Sequence, residues 1–145
     1  MLRILILLVA IPFAQDDDNW PSLNYLRQDY KSVSVVAHVR VEQAEITNRI
    51  GGYENWKIKA VVLEPFKGKF KKGDAIEFSH GAEAGFKQEW FMGEKLVFLL
   101  YERDHRDGKR YYTVLENSTL PYTKDRIEKL RLIRRSYLSK RPRRK

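Results

Sequence analysis

An alternating run of valines in the first third of the chain is the feature that most restricts its fold. Val33, Val35, Ala37, Val39 and Val41 fall on one face of the extended segment SVSVVAHVRV, with Ser34, His38 and Arg40 on the other. Side chains of a β-strand point alternately to its two faces, so this period of two predicts a half-buried strand. The chain is therefore expected to build a sheet with an apolar interior.

Later segments repeat the strand signal. WKIKAVVLEPF, from Trp56 to Phe66, follows a turn at Gly51-Gly52. Two such runs joined by a glycine-containing loop predict a hairpin. AIEFSH, residues 75–80, predicts a third strand, and LVFLLYER, residues 96–103, is apolar enough to be buried on both faces. RYYTVLEN, residues 110–117, follows a turn at Asp107-Gly108 and predicts the partner strand of a second hairpin.

The lysine-rich stretch EPFKGKFKKGD, Glu64 to Asp74, invites comparison with a phosphate-binding loop. Such a loop needs glycine-rich backbone amides followed by Gly-Lys-Ser/Thr at the start of a helix. Here Gly73 is followed by Asp74 and then by the third predicted strand, so no helix begins at the required place. The stretch is predicted to be a lysine-coated connection whose glycines permit tight turns.

The last part of the chain has helical spacing. Ile127, Leu130, Ile133 and Tyr137 lie on one side of a helix that Thr123 is placed to cap. Five antiparallel strands followed by a helix are what a small barrel of the OB type requires, because closure removes exposed sheet edges. The predicted fold is therefore mainly β, a five-stranded antiparallel OB-like barrel over residues 32–122 with a C-terminal α-helix, and residues 123–145 form a basic amphipathic helix and tail.

The N-terminal residues predict export. Arg3 precedes an apolar run from Ile4 to Phe13, which is too short to cross a membrane as a helix. Residues 1–14 are predicted to be a signal peptide cut after Ala14, and residues 15–31 a loosely packed leader. The chain has no cysteine, so disulfides and thiol chemistry are excluded and a fold that rests on its apolar core is favoured. The expected location is secreted or periplasmic, and no transmembrane segment is expected.

The strand order and two motifs resemble the superfamily of tissue inhibitors of metalloproteinases and netrin modules. The motifs are Lys67-Gly68 with Gly73-Asp74, and the segment from Gly93 through Tyr101, and the similarity covers about residues 32–117. The resemblance implies an OB-like barrel in an exported protein. The inhibitors of that superfamily bind the zinc of the protease through an N-terminal cysteine, which this chain lacks, so none of their inhibitory residues can be assigned here.

Charge is concentrated at the C-terminus. Residues 124–145 carry 11 Lys and Arg against 2 Asp and Glu, which accounts for the whole formal net charge of +9. The predicted anion-binding residues are Lys124, Arg126, Lys129, Arg131, Arg134, Arg135, Lys140, Arg141, Arg143, Arg144 and Lys145. Such a cluster attracts polyanions or an anionic membrane. Two other readings remain open: cations that only stabilise the end of a helix packed on the barrel, and a contact with an unknown protein partner.

No residue pattern predicts catalysis, a metal site or a cofactor. His38, His80 and His105 lack ligand spacing and are expected to be solvated surface histidines. Ser79 and His80 are neighbours in a strand, so they point to opposite faces and cannot pair as nucleophile and base. Asn117-Ser118-Thr119 is a glycosylation sequon, which has meaning only in a secreted eukaryotic protein.

The sequence therefore predicts a non-enzymatic binding or interaction module. Two alternatives stay open. One is a nucleic-acid-binding OB protein that uses Lys57, Lys59, Lys67, Lys69, Lys71 and Lys72 with Tyr53 or Tyr112 as stacking platforms. The other is a protease inhibitor that acts without the N-terminal cysteine of the superfamily.

Overall fold

The computed structural model describes residues 20–140, except for the side chains of residues 116–118. Its elements are α1 (Leu23–Ser32), β1 (Val35–Ile50), β2 (Tyr53–Lys67), β3 (Ala75–Glu83), a short 3-10 helix (Gln88–Trp90), β4 (Gly93–Arg103), β5 (Arg110–Pro121) and α2 (Lys124–Ser139). The strands close into a barrel in the order β1-β2-β3-β5-β4. The predicted five-stranded barrel with a C-terminal helix is confirmed. The predicted signal peptide, residues 1–14, lies outside the described residues.

One pairing differs from the predicted antiparallel arrangement. β3 and β5 meet in parallel, and only Ser79 and Thr113 are paired. All the other neighbouring strands are antiparallel. β3 and β4 follow each other in the sequence but are not neighbours in the barrel. The connection between them places β5 beside β3, and the two strands run in the same direction. The seam of the barrel, where β3 meets β5, is therefore held by little backbone pairing.

Alternate apolar side chains of the strands form the interior of the barrel. Val35, Ala37, Val39 and Val41 of β1 all point inward, as predicted, and pack against buried residues of the other strands. β1 continues past the predicted strand and pairs with β2 as far as Ile50 and Tyr53. Gly51 and Gly52, both with positive φ, form the two-residue turn between these strands, a conformation that favours glycine.

A second core lies outside the barrel, where the two helices pack on each other and on β2 and β4. Leu26 and Tyr30 of α1, Phe98 of β4, and Leu130 and Ile133 of α2 are all buried there. β4 consequently has apolar partners on both faces, as its continuous apolar run predicted. Helix α2 begins after Thr123, whose hydroxyl accepts a hydrogen bond from the Arg126 amide at 3.2 Å.

Helix α1 was not predicted from the sequence. Part of the segment expected to be a loosely packed leader is instead a ten-residue helix, and Ser22 caps it by accepting a hydrogen bond from the Tyr25 amide. The Tyr30 hydroxyl donates to the Phe66 carbonyl at 2.7 Å, and Leu26 is fully buried. This part of the chain belongs to the folded core.

Candidate functional site

A cleft opens along the seam between β3 and β5. After their single paired position, β3 continues through His80 to Glu83 while β5 turns away. Val114 of β5 pairs with Leu99 of β4, and Thr119 pairs with Val97. β5 therefore advances five residues where β4 advances only two. The extra residues bulge out of the ladder, and a bulge bends its strand. The bend leaves a cleft of about 900 Å³ between the two strands.

Aromatic side chains surround this seam cleft. Tyr25, Tyr53, Phe86 and Trp20 contribute to its walls, together with Val114 and Leu115. A smaller cavity of about 120 Å³ continues the cleft and is lined by Phe86, Trp90 and Phe91. Trp20, Tyr53 and Trp90 are each more than half exposed. Exposed aromatic residues grouped around one opening are typical of a binding site.

The floor of the seam cleft is polar. His80 and Thr119 line both the cleft and the smaller cavity. The His80 Nδ1 and the Thr119 Oγ1 are buried, and neither has a hydrogen-bond partner within residues 20–140. Buried polar atoms in native proteins are nearly always hydrogen-bonded, so two unpartnered atoms at one site call for a ligand or water.

The prediction of solvated histidines is wrong for two of the three. His80 continues the inward phase of Ile76 and Phe78 on β3, and its ring packs edge-on against Phe91 at 5.1 Å. Burial lowers the pKa of His80, partly offset by the Gly81 backbone, so the ring is neutral at pH 7. The alternation that predicted the strand therefore also carried the signal that His80 faces inward.

His38 is buried on the outer face of β1. Its Nε2 lies 2.8 Å from the Glu94 carboxylate, and its ring stacks on Tyr122 with a centroid distance of 4.7 Å. Packing by the C-terminal end of β5 removes it from solvent. His105 is exposed in the β4–β5 turn, as predicted. Among the described residues, no group of His, Cys, Asp and Glu is arranged to hold a metal ion.

Lys95 adds a cation to the same region. It pairs with Val39 in the β1–β4 ladder, one row from the pair of Ala37 with Val97, so it lies on the inward face of β4. It is half-buried and lines the smaller cavity with His80 and Thr119. Within the described part of the chain, its ammonium group has no ion pair or hydrogen bond.

Four of the predicted anion-binding residues bind the protein itself. Arg126 donates to the carbonyls of Pro121 and Trp20, and Lys129 pairs with Asp125 at 2.8 Å. Arg131 makes a two-point contact with the Glu64 carboxylate at 2.8 and 3.1 Å, and Arg134 donates to the Pro65 carbonyl. These contacts attach α2 to β2 and to the segment before α1.

The attachment of α2 to β2 also lowers the pKa of Glu64. The hydrogen bond from Arg131 lowers the pKa of that carboxyl, against the opposing effect of partial burial, and the charge of Arg134 adds to the lowering. Glu64 therefore stays ionised at any pH near neutrality and holds α2 to the second strand of the barrel.

Three of the predicted anion-binding residues face solvent. Lys124, Arg135 and Lys140 are exposed, and their side chains make no ion pair or hydrogen bond within residues 20–140. Arg141, Arg143, Arg144 and Lys145 lie outside the described residues. The structure thus separates the predicted cluster into residues that hold the helix and residues that remain accessible on it.

Two of the six lysines of the nucleic-acid alternative have partners within the protein. Lys67 donates to the Tyr30 carbonyl at 2.7 Å, and Lys57 pairs with Glu77 at 3.4 Å. Tyr53 lines the seam cleft, whereas Tyr112 lines a different cleft of about 350 Å³ beside Lys57 and Arg110. The proposed stacking residues therefore belong to two separate sites.

Comparison with known proteins adds no assignment, since no family model matches the sequence and no curated protein matches it. Within residues 20–140, neither helix has the length and apolar character needed to span a bilayer.

Proposed function

We propose that this protein is an exported, non-enzymatic binding module, an OB-type barrel that its basic C-terminal element attaches to an anionic surface or polyanion. The barrel fold is consistent with the resemblance to netrin modules, which would make the protein secreted or periplasmic. The N-terminal sequence supports export, because a short apolar run precedes Ala14.

The observation that carries the proposal is the position of α2. Its apolar side chains Ile127, Leu130 and Ile133 are buried against the barrel and α1. The helix cannot also insert these side chains into a membrane, so the proposal assigns its attraction for a partner to the exposed cations. The accessible cations Arg135 and Lys140 lead directly into RPRRK, where four of five residues are basic. Positive charge therefore accumulates at the C-terminal end of the sequence.

The test is the salt dependence of binding to heparin, single-stranded DNA and anionic vesicles. The tail variant carries Arg141→Gln, Arg143→Gln, Arg144→Gln and Lys145→Gln in the full chain. Loss of four contacts lowers the slope of log K against log salt by about 3 for single-stranded DNA. For vesicles the same loss costs about 4 kcal/mol, roughly a thousandfold in affinity.

A matched control removes four other exposed lysines, through Lys59→Gln, Lys69→Gln, Lys71→Gln and Lys72→Gln. The proposal expects this control to bind nearly as tightly as the unmodified chain. Binding of single-stranded DNA that is lost in the control and kept in the tail variant would instead support the nucleic-acid alternative. Equal binding by all three proteins, or none by the unmodified chain, contradicts electrostatic attachment.

A further inference from the structure

We propose that the seam cleft binds a monocarboxylic acid with an apolar or aromatic body, its carboxylate between Lys95, His80 and Thr119 and its body along Phe86, Trp90 and Phe91. This site is separate from the basic helix, so it does not rest on the proposed attachment to anionic surfaces. The cleft and the smaller cavity that continues it together form the candidate pocket.

The polar groups of the pocket identify the chemistry of the ligand head. The Thr119 hydroxyl can donate a hydrogen bond, the Lys95 ammonium can only donate, and His80 donates from Nδ1 when its proton is on that nitrogen. A carboxylate accepts hydrogen bonds through two oxygens and donates none. Lys95 on β4 and Thr119 on β5 are therefore donors for an acceptor-only group, and His80 on β3 is a third donor when its Nδ1 carries the proton.

Leaving these groups unpaired is costly. The His80 Nδ1 and the Thr119 Oγ1 are both shielded from solvent without a partner inside residues 20–140. A buried polar atom without a hydrogen bond destabilises the fold, whereas a valine in place of a threonine would fill a similar volume without that cost. Their presence beside an unpaired lysine is explained by a ligand that all three contact.

Lys95 favours an acid over a neutral molecule. It occupies an inward position on a strand whose neighbouring inward residues are Val97 and Leu99, both fully buried. A charged side chain in that row attracts a counter-charge, and within residues 20–140 no carboxylate pairs with it. Glu83, the acidic residue that lines the larger cleft, is absent from the lining of the smaller cavity. A ligand carboxylate supplies the missing charge.

The remaining walls fit an apolar body. Phe86 and Trp90 meet edge to face at 4.7 Å, and Phe86 lies 5.9 Å from Phe91. Small-molecule sites usually have volumes of about 300–1,000 Å³ and apolar walls with a few directed polar groups. The smaller cavity, about 120 Å³, holds the carboxylate and the part of the body that contacts Phe86, Trp90 and Phe91, and the cleft of about 900 Å³ leaves room for the rest of a ring or an alkyl chain.

The first test titrates the full chain with two probe acids, 4-phenylbutyrate and decanoate, and follows binding by calorimetry and by tryptophan fluorescence. The neutral amide of each acid serves as the matched control ligand. We expect saturable binding of at least one acid and about tenfold weaker binding of its amide, which lacks the charge that Lys95 attracts. No saturable binding of either acid at millimolar concentration overturns the proposal, and so does equal binding of acid and amide.

The second test uses variants. Lys95→Met and Thr119→Val should each weaken binding of the acid by about tenfold, while Lys87→Met, at an exposed lysine outside the lining, should leave it unchanged. Thr119→Val removes an unpartnered hydroxyl, so its thermal midpoint should be equal to or above that of the unmodified chain. Unchanged acid binding in both cleft variants, or equal loss in the Lys87→Met control, overturns the assignment.

Discussion

At the scale of single residues, Gly68 shows how tightly the lysine-rich connection is fitted. Its φ is +105°, and a Cβ placed on it would lie 3.0 Å from the Val35 Cγ2 and 3.1 Å from the Ser34 carbonyl oxygen. Gly73, at the other end of the connection, has φ +91° with open space around it. Both glycines relieve backbone strain, but only Gly68 also fills a closely packed position.

The two alanine variants should therefore differ. Gly73→Ala should lower the free energy of unfolding by about 1–3 kcal/mol, because alanine is strained at a positive φ. Gly68→Ala has a similar strain and a steric clash with β1, which adds about 1–3 kcal/mol. Urea unfolding of both variants measures the difference. Equal stabilities would mean that the contact with Val35 is relaxed without cost.

At the scale of elements, α1 is the part that sequence reasoning missed. Leu23, Leu26 and Tyr30 have helical spacing behind the capping Ser22, yet the helix is only ten residues long. Helices this short are marginal in water and depend on tertiary packing. Its stability therefore comes from α2 and the outer face of β4, which the local sequence does not reveal.

Leu26→Ala tests whether α1 is part of the core. Leu26 is fully buried, so the substitution should cost about 2–5 kcal/mol in the free energy of unfolding. Leu132→Ala is the matched control, because Leu132 also lies in a helix but is 49% exposed. It should change stability by about 0.5 kcal/mol or less. Similar small losses in both variants, measured by denaturant unfolding, would show that α1 packs loosely after all.

The strands were more predictable than the site. Burial on both faces gives β4 its continuous apolar run, and burial of one face gives β1 its alternation. Both patterns are local, so the positions and faces of these strands follow from the sequence. The seam cleft depends on how many residues β5 places opposite Val97 and Leu99, which is a property of pairing across the barrel. Of the site, only the inward orientation of His80 could have been predicted from the sequence. The contacts that Arg126, Arg131 and Arg134 make within the protein could not.

At the scale of the whole molecule, two groups make stability depend on pH in the same direction. Burial holds the pKa of His80 below its ordinary value of about 6.5, and Arg131 holds the pKa of Glu64 below its ordinary value of about 4.5. In both cases the unfolded chain binds a proton more readily than the folded chain. Acid therefore favours unfolding at each group, first at His80 and then at Glu64.

We expect the free energy of unfolding to be greatest above about pH 6.5 and to fall in two steps as the pH is lowered. His80 contributes to the upper step, which extends from its unfolded pKa down to its lowered folded pKa, and Glu64 contributes to the lower step in the same way below about pH 4.5. His80→Gln should flatten the upper step, and Glu64→Gln should reduce the lower step, to which Asp104 also contributes through its hydrogen bond with Arg106, while loosening α2. Urea unfolding of the three proteins across this pH range measures both effects. A His80→Gln profile that keeps the upper step would place its origin elsewhere in the molecule, whereas loss of that step ties the stability of the barrel to the neutral imidazole at the floor of the seam cleft.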